Sequence, residues 1–541
     1  MYPKWIKNRA AARLSLGNAA ALLVATAFLG QILGFLRTRL VNANFSAYGP
    51  HSTDTYFAAF NIPDFFFYTL AAGALGVAFM PVLAERLERG DKKGAWDLSN
   101  SLMNLLALIM GGVALIMLIF ANQLIHYIVA PNLTPAQLHT AATIMRLLAL
   151  NPLLFTISGI LTSTQQSLGR FFFYAVAPLF YNACIIISTL IFSEVSPHHG
   201  GPGHLGIVGL GVGALIGAVV QLLVILFGLL GLKYKWHPNI TWKSPDFKVV
   251  LRNLPPRSID QGLDQINSIV ETNFARRLGE GNISFYYNAY ILQTAPIMMI
   301  GTAISTAAFP RLTNRLAAGR TDLFRKDFMQ ILRTMLWITL PVAVLAYFCK
   351  SYLARLIFAR DSGSIAYVFG FLCGAILFRT LYTIISRWFY AQKDTRTPLY
   401  VSLFSIALNI VLVWKLSRPA PNGFGIGGLA IAQTIVATFE VFILMSIMIW
   451  RDHKLFTPEF WSGVIRTLSV TGFTVITAFI MASLIQHTSG EGFFPLITKM
   501  LIIVVPSLIV HVGVSALFGL EEVEPVVRKI RAMVIKPVSI Q

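Results

Sequence analysis

Apolar runs of twenty or more residues recur along the chain, each closed by a short polar segment. A helix rising about 1.5 Å per residue crosses the hydrocarbon of a bilayer in roughly twenty such residues. The pattern predicts about fourteen transmembrane helices, spanning 18–38, 53–84, 97–120, 138–164, 171–193, 205–232, 247–275, 284–312, 326–348, 363–391, 397–414, 424–450, 459–485 and 495–518. Two of these are irregular. The second carries Asp54, Asp64, Pro63 and a small-residue run from Ala71 to Gly76. The seventh, VVLRNLPPRSIDQGLDQINSIVETNFARRL, is too polar to face lipid and requires a polar cavity on one side.

The stretch from Asp54 to Gly90 also recurs. A shift of 229 positions places Ala74, Ala78, Pro81, Leu83, Arg86, Leu87 and Gly90 on Ala303, Ala307, Pro310, Leu312, Arg315, Leu316 and Gly319 without a gap. Leu124, Ile128 and Ala130 then meet Leu353, Ile357 and Ala359. Proline, arginine and glycine held at fixed spacing across an apolar-to-basic boundary indicate an internal duplication. Six helices per copy is an even number, so both copies enter the membrane in the same sense. The expected fold is therefore an all-α polytopic membrane protein: an amino-terminal lobe over 1–235, a carboxyl-terminal lobe over 236–455, two extra helices over 456–520 and a cytoplasmic tail over 521–541.

Composition agrees. The 541 residues are 56% hydrophobic and 12% charged, which excludes an ordinary soluble domain and a disordered chain. The formal charge of +20 lies in short segments between apolar spans, so its partners are anionic membrane lipids and not nucleic acid. Basic loops (Arg86 to Lys93, Arg170, Lys233 to Lys248, Arg315 to Lys326, Lys393 to Arg396) alternate with loops 41–52, 121–137, 194–204 and 486–494, which have no Lys or Arg. By the positive-inside rule both termini are cytoplasmic, although Lys350, Arg355, Arg360, Lys415 and Arg418 run against the alternation. The basic, then apolar, amino end reads as an uncleaved first helix and not a signal peptide.

No nucleotide loop, metalloprotease helix or nucleophile constellation is present, so no enzyme is expected. Cys184, Cys349 and Cys373 lie in apolar runs and imply neither disulfides nor metal. His198, His199 and His204 fall in PHHGGPGH, where a polar glycine-rich turn accounts for them and no metal site is expected. Charges inside the spans are more informative. Arg37 and Arg39 close the first span; at bilayer depth each costs about 2.5 to 3.5 kcal/mol, so each faces water or an anionic ligand, or snorkels to the headgroups. Asp54 either caps the second helix or pairs with Arg37. In the seventh helix Arg257 is accompanied by Asp260, Asp264 and Glu271, whose i, i+4, i+11 spacing puts the carboxylates near one face and suits a cation or proton site, or else an interfacial helix. Asn409 and Thr434 add oxygen ligands or simply join helices.

Several segments together resemble the MurJ (MviN) family: GFLRTRL, TDTYFAAFNIPDFFF, GALGVAFMPVLAE, GRFFFYAVAPLFYN, DQINSIVETNFARRLGEG, YYNAYILQTAP and RWFYAQKDTRTP. The resemblance covers essentially the whole chain. It implies a flippase for undecaprenyl-linked lipid II in the bacterial cytoplasmic membrane, two-lobed with a central cationic cavity, working by alternating access. It implies a lipid-tail groove at the last two helices, monomeric action and cell-wall synthesis proteins as partners. Arg37 falls on the arginine of the family's first-helix pattern and Asp54 on its second-helix aspartate. Arg39 and Arg257 would add to the substrate site. Glu271, with Asp264, Asn409 and Thr434, would couple transport to Na+ or H+, with no other cofactor. Where members have an acid one turn beyond Asn409, this chain has Val413. Where members place cavity arginines it has Gln31, Phe67 and Ile291, and Ala72 replaces a glutamate. Either Arg39, Arg146 or Arg257 substitutes for the lost cations, or the cargo is another lipid-linked saccharide or an amphipathic drug; a non-transporting envelope scaffold is the remaining alternative.

Overall fold

The computed structural model describes residues 16–72, 79–193, 205–232, 234–358, 361–419, 421–485 and 492–534, without the side chains of 16–21, 71–72, 255–257, 259–261 and 530–534. Helices account for its regular structure, and no strand occurs among the described residues. Packing divides the chain into two compact units, Met1–Ser284 with Ile357–Arg360, and Phe285–Leu356 with Asp361–Gln541.

In the first unit, α1 (Leu16–Asn44) precedes α2 (Thr53–Phe66), which runs into a π-helical turn (Phe67–Ala72). Then follow α3 (Met80–Glu88), α4 (Lys92–Gln123) with a π-helical end (Leu124–Val129), α5 (Pro135–Leu148), α6 (Asn151–Ser167), α7 (Phe172–Ile191), α8 (Val208–Phe227) and α9 (Pro245–Arg277). The second unit takes in most of α10 (Asn282–Pro296), then a π-helical turn (Ile297–Thr302), α11 (Ala303–Ala317), α12 (Thr321–Phe348), α13 (Lys350–Ile357), α14 (Ser362–Ala391), α15 (Arg396–Leu416), α16 (Ile426–Arg451), α17 (Pro458–Leu484), α18 (Phe493–Leu517) and the terminal α19 (Glu524–Val534).

The duplication is visible in these bounds. Moving α2 by 229 positions gives 282–295 against an observed Asn282–Pro296, α3 and α11 end together at Glu88 and Ala317, and Lys92 lands on Thr321, the first residue of α12. Both copies place a π-helical turn after a proline, where the missing N–H opens the ladder: Pro63 in one and Pro296 in the other. Leu83 and Leu312, one shift apart, are each fully buried in the core of their own unit.

Among the described residues, twelve helices are long and apolar enough to cross a membrane. The expected second and seventh spans are not among them. The second includes residues 73–78, which lie outside the described residues; the seventh, α9, is a continuous 33-residue helix with too many polar groups. The packing division falls at Ser284, beyond the sequence boundary of 235, because α9 packs on α2, its π-helical turn and α4. The repeat boundary and the packing boundary are thus different places on the chain.

Small residues bring helices close where lipid supplies no hydrophobic drive. A Cβ on Gly213 or Gly217 of α8 would meet Ser188 or Tyr181 of α7, and Ser188 Oγ donates to the Gly209 carbonyl at 2.5 Å. Polar contacts tie the extra helices to the second unit: Trp337 Nε1 of α12 donates to Ser515 Oγ of α18 at 2.8 Å, while His511 Nδ1 lies 2.9 Å from Thr474 Oγ1 of α17.

Candidate functional site: charges within the helical bundle

A charge inside an apolar bundle is stable only with partners, so the partners define the site. In the first unit Asp54 is buried, with 1% of its surface exposed. It does not cap its own helix. Ser52 does, accepting the Thr55 N–H, and the Asp54 carboxylate instead accepts the N–H groups of Gly281 at 2.7 Å and Ser284 at 2.8 Å. Thr53 Oγ1 and Ser284 Oγ add a 2.7 Å bond. A carboxylate on the first amides of a helix satisfies donors that have no intrahelical acceptor and meets the positive end of the helix dipole.

The cation nearest Asp54 is Arg276, with Nη1 at 3.9 Å, and not the expected Arg37. Arg276, at the end of α9, also donates to Gln137 Oε1 at 2.8 Å and the Asn132 carbonyl at 3.1 Å. Gln137 Nε2 donates in turn to Glu280 Oε1 at 2.9 Å and the Gly49 carbonyl at 3.2 Å. This clasp fastens the loop before α2, the start of α5 and the end of α9 within one unit. Arg37, on α1, acts electrostatically on Asp64 instead. The difference is geometric: Asp64 lies near the C-terminal end of α2, and Asp54 is held at the other end by the turn after α9.

The remaining sequence candidates are spread out. Arg39 is half-buried on α1 beside the buried Thr38. The side chains of Arg257 and Asp260 lie outside the described residues, as does the loop with His198, His199 and His204. Glu271 is buried and accepts from Asn267 Nδ2 at 2.9 Å, whereas Asp264 is exposed, so the expected single carboxylate face divides into a buried group and an open one. Ser268 and Thr272 donate to Asn61 Oδ1 at 3.4 and 3.3 Å, which seats the face of α9 on α2. Asn409 on α15 is buried in the second unit, where Thr434 Oγ1 of α16 donates to the Phe371 carbonyl at 2.7 Å. Arg146 donates to the Leu118 carbonyl at 3.2 Å, and Phe67 packs edge-on against Phe155, which packs against Tyr181.

Sequence reasoning missed a second buried charge cluster. In the second unit, Arg379 Nη1 of α14 lies 3.1 Å from Glu440 Oε2 of α16. Ser402 Oγ of α15 donates to Glu440 Oε1 at 2.8 Å and lies 3.1 Å from Tyr382 OH. A signal was present: Glu440 is the sole acidic residue of the 424–450 span. Arg276 was hidden in an Arg-Arg pair that reads as an ordinary helix end.

A profile of the family described as "Lipid II flippase MurJ" matches residues 49–502. The probable lipid II flippase MurJ of Bdellovibrio bacteriovorus is 23% identical over 526 residues, 94% of this chain and 96% of that protein. Its counterpart in Buchnera aphidicola subsp. Acyrthosiphon pisum is 27% identical over 474 residues, 85% of this chain and 86% of that protein. Among solved structures, a lipid II flippase MurJ in an inward closed conformation shares the fold with a TM-score of 0.74 at 21% identity, covering 92% of this chain and 98% of that one. An inward-facing multidrug resistance MATE family transporter of the MOP superfamily gives 0.62 at 16% identity, with 83% and 98% covered. The profile takes in the repeat, the Asp54 clasp, α9 and the Arg379–Glu440 pair, and on that extent the chain belongs to the MurJ family of lipid II flippases.

Proposed function

We propose that this multi-pass membrane protein translocates lipid II, an undecaprenyl-linked peptidoglycan precursor, across the bacterial cytoplasmic membrane by alternating access. The observation that carries the reading is the family match over 49–502 on a chain whose apolar bundle holds ionisable groups on α1, α2 and α9. Such groups are costly in lipid and suit a path for a charged head. Arg37, with Arg39 and Arg257, neutralises the diphosphate. Asp64 holds Arg37 when no anion is present, and Asp54 organises the clasp beside the substrate site.

Both termini are cytoplasmic in this reading, as the alternation of basic loops suggests. The groove of α17 and α18 receives the polyprenyl tail. Glu271 and Asp264, with Asn409 and Thr434, bind Na+ or H+ and bias which state is populated. The protein acts as a monomer among anionic lipids and cell-wall synthesis proteins.

A second reading, export of an amphipathic compound, is favoured by one observation. Phe67, where relatives of the family pattern carry arginine, sits in an edge-to-face aromatic run with Phe155 and Tyr181, at 5.5 and 5.3 Å. Expression in bacteria depleted of their own flippase separates the two. Lipid II exposed on the outer face, and lost again with Arg37→Ala at unchanged membrane insertion, supports the flippase. No exposure from an inserted protein, together with aromatic-drug efflux that Phe67→Ala reduces, supports the exporter.

A further inference from the structure

The two repeat copies diverge sharply at one place. Residues 82–98 carry four basic and four acidic residues, whereas 311–327, the same segment 229 positions on, carry five basic and two acidic. Val82 becomes Arg311, Glu85 becomes Asn314 and Asp91 becomes Arg320, while Arg86 is kept as Arg315. In the first copy the arginines are paired off: Arg86 with Asp246 of α9 at 2.5 Å and with Asp91 at 3.6 Å, and Arg89 with Glu85.

In the second copy one carboxylate serves two guanidinium groups. Asp327 accepts from Arg311 Nε at 2.8 Å and Nη2 at 2.5 Å, and from Arg315 Nε at 3.1 Å. Asp322 forms no ion pair with these arginines among the described residues, and Arg325 is taken by Asp452 at 2.6 Å. A positive balance is left over a concavity of about 600 Å³ lined by Arg311, Asn314, Arg315 and Arg320, with Ala318 where the first copy has Arg89. Asp327 holds two forks in fixed orientation, and planar guanidinium groups match phosphate oxygens in pairs. The concavity lies at the end of the membrane-crossing stretch Asn282–Ala317, the depth at which headgroups meet a protein surface.

We propose that Arg311, Asn314, Arg315 and Arg320 bind the phosphate of an anionic lipid headgroup at the end of α11. The first copy lacks this arrangement, because Arg86 and Arg89 are taken by Asp246, Asp91 and Glu85, so the site is single. The inference does not depend on the transported cargo, and its test needs no transport.

The full chain is placed in nanodiscs, and bound phosphatidylglycerol is titrated against a phosphatidylcholine background by native mass spectrometry. A second arm titrates inorganic pyrophosphate in phosphatidylcholine discs, to separate a lipid phosphate from a soluble one. The variant Arg311→Val/Asn314→Glu/Arg320→Asp installs the first copy's residues. It should raise the dissociation constant for phosphatidylglycerol at least tenfold, with phosphatidylcholine retention unchanged. Arg320→Asp alone, at an exposed position between helices, should raise it several-fold and guards against misfolding of the triple variant. Pyrophosphate binding with the same sensitivity, and no phosphatidylglycerol preference, would overturn the lipid source and keep the phosphate site. Equal phosphatidylglycerol retention by the unmodified protein and both variants, with no pyrophosphate binding, would overturn the proposal altogether.

Discussion

Asp54 and Arg276 are both buried, yet their closest approach is 3.9 Å; the carboxylate gives its two oxygens to the N–H groups of Gly281 and Ser284. Asp54 is thus first an anchor for the turn after α9 and second a counter-charge. Hydrogen bonds to charged groups are worth about 1.5 to 3 kcal/mol each, and Arg276, which keeps Gln137 and Asn132, loses a counter-charge as well. Asp54→Ala should destabilise the protein by about 3 kcal/mol. Asp54→Asn, which keeps an acceptor but not the charge, should cost about half of that. Denaturation midpoints of the purified variants in detergent check the order; an Asn variant as unstable as the Ala variant would show that charge, not the capping geometry, carries the clasp.

The Arg379–Glu440 pair makes a different demand, because it crosses from α14 to α16 and is braced by Ser402. Removing Glu440 takes the carboxylate from a half-buried guanidinium, for about 1 to 3 kcal/mol, whereas replacing both partners by apolar residues of similar volume is often near neutral. Glu440→Leu should therefore be destabilised and Arg379→Met/Glu440→Leu largely restored. A double-mutant cycle in thermal stability reads this directly. Additive losses would mean that the two side chains act through other neighbours.

Much of the fold was legible because hydrophobic length and repeat spacing are one-dimensional signals. The 229-residue shift pointed to a duplication whose copies share helix ends, and of about fourteen spans expected from the apolar runs twelve stand among the described residues. Side-chain partnerships were not legible, because they depend on which helix ends meet. Arg37 and Asp54 are close in sequence but sit with Asp64 and Arg276, respectively. The carboxylates of α9 satisfied a helical-face rule, yet Glu271 is buried and Asp264 exposed, since burial is set by which neighbouring helices pack along α9. Glu440 was visible as a charge in an apolar run, but its arginine sits on a different helix.

Asp394, in the turn between α14 and α15, gives the pH dependence. Partial burial pushes its carboxyl up, but bonds from the Thr397 hydroxyl and N–H and from Arg451 Nη1 at 2.6 Å outweigh that and hold it at about 2, against an ordinary 3.8. A depressed carboxyl favours the folded state above its unfolded value, and that stability is lost as the pH falls through the folded value. The contribution is complete above pH 3.8 and gone near pH 2. Arg451→Met should lower stability at pH 5 and converge with the unmodified protein as the pH approaches 2. Unfolding midpoints from pH 2 to 5 provide the check, and a gap of constant size would place Arg451's role outside this ion pair.

The carboxyl-terminal segment is attached by an ion pair to the middle of α12. Arg333 lies 2.5 Å from Glu522 Oε1 and 3.7 Å from Glu521 Oε2, while Leu520 and Val523 are buried against Trp337 and Val470. Glu522 is itself buried, so the pair is shielded from salt while the exposed Glu521 contact is screened. Release of the segment should therefore require loss of Glu522 and not of Glu521. Glu522→Ala should speed proteolysis after residue 520 several-fold, leaving the twelve spans folded, and Glu521→Ala should change it by less than a factor of two. Because the docking surface is largely apolar, raising salt should leave the unmodified protein protected. Rapid cleavage of the unmodified protein at high salt would mean that charge alone, and not the Leu520 and Val523 seat, holds the segment.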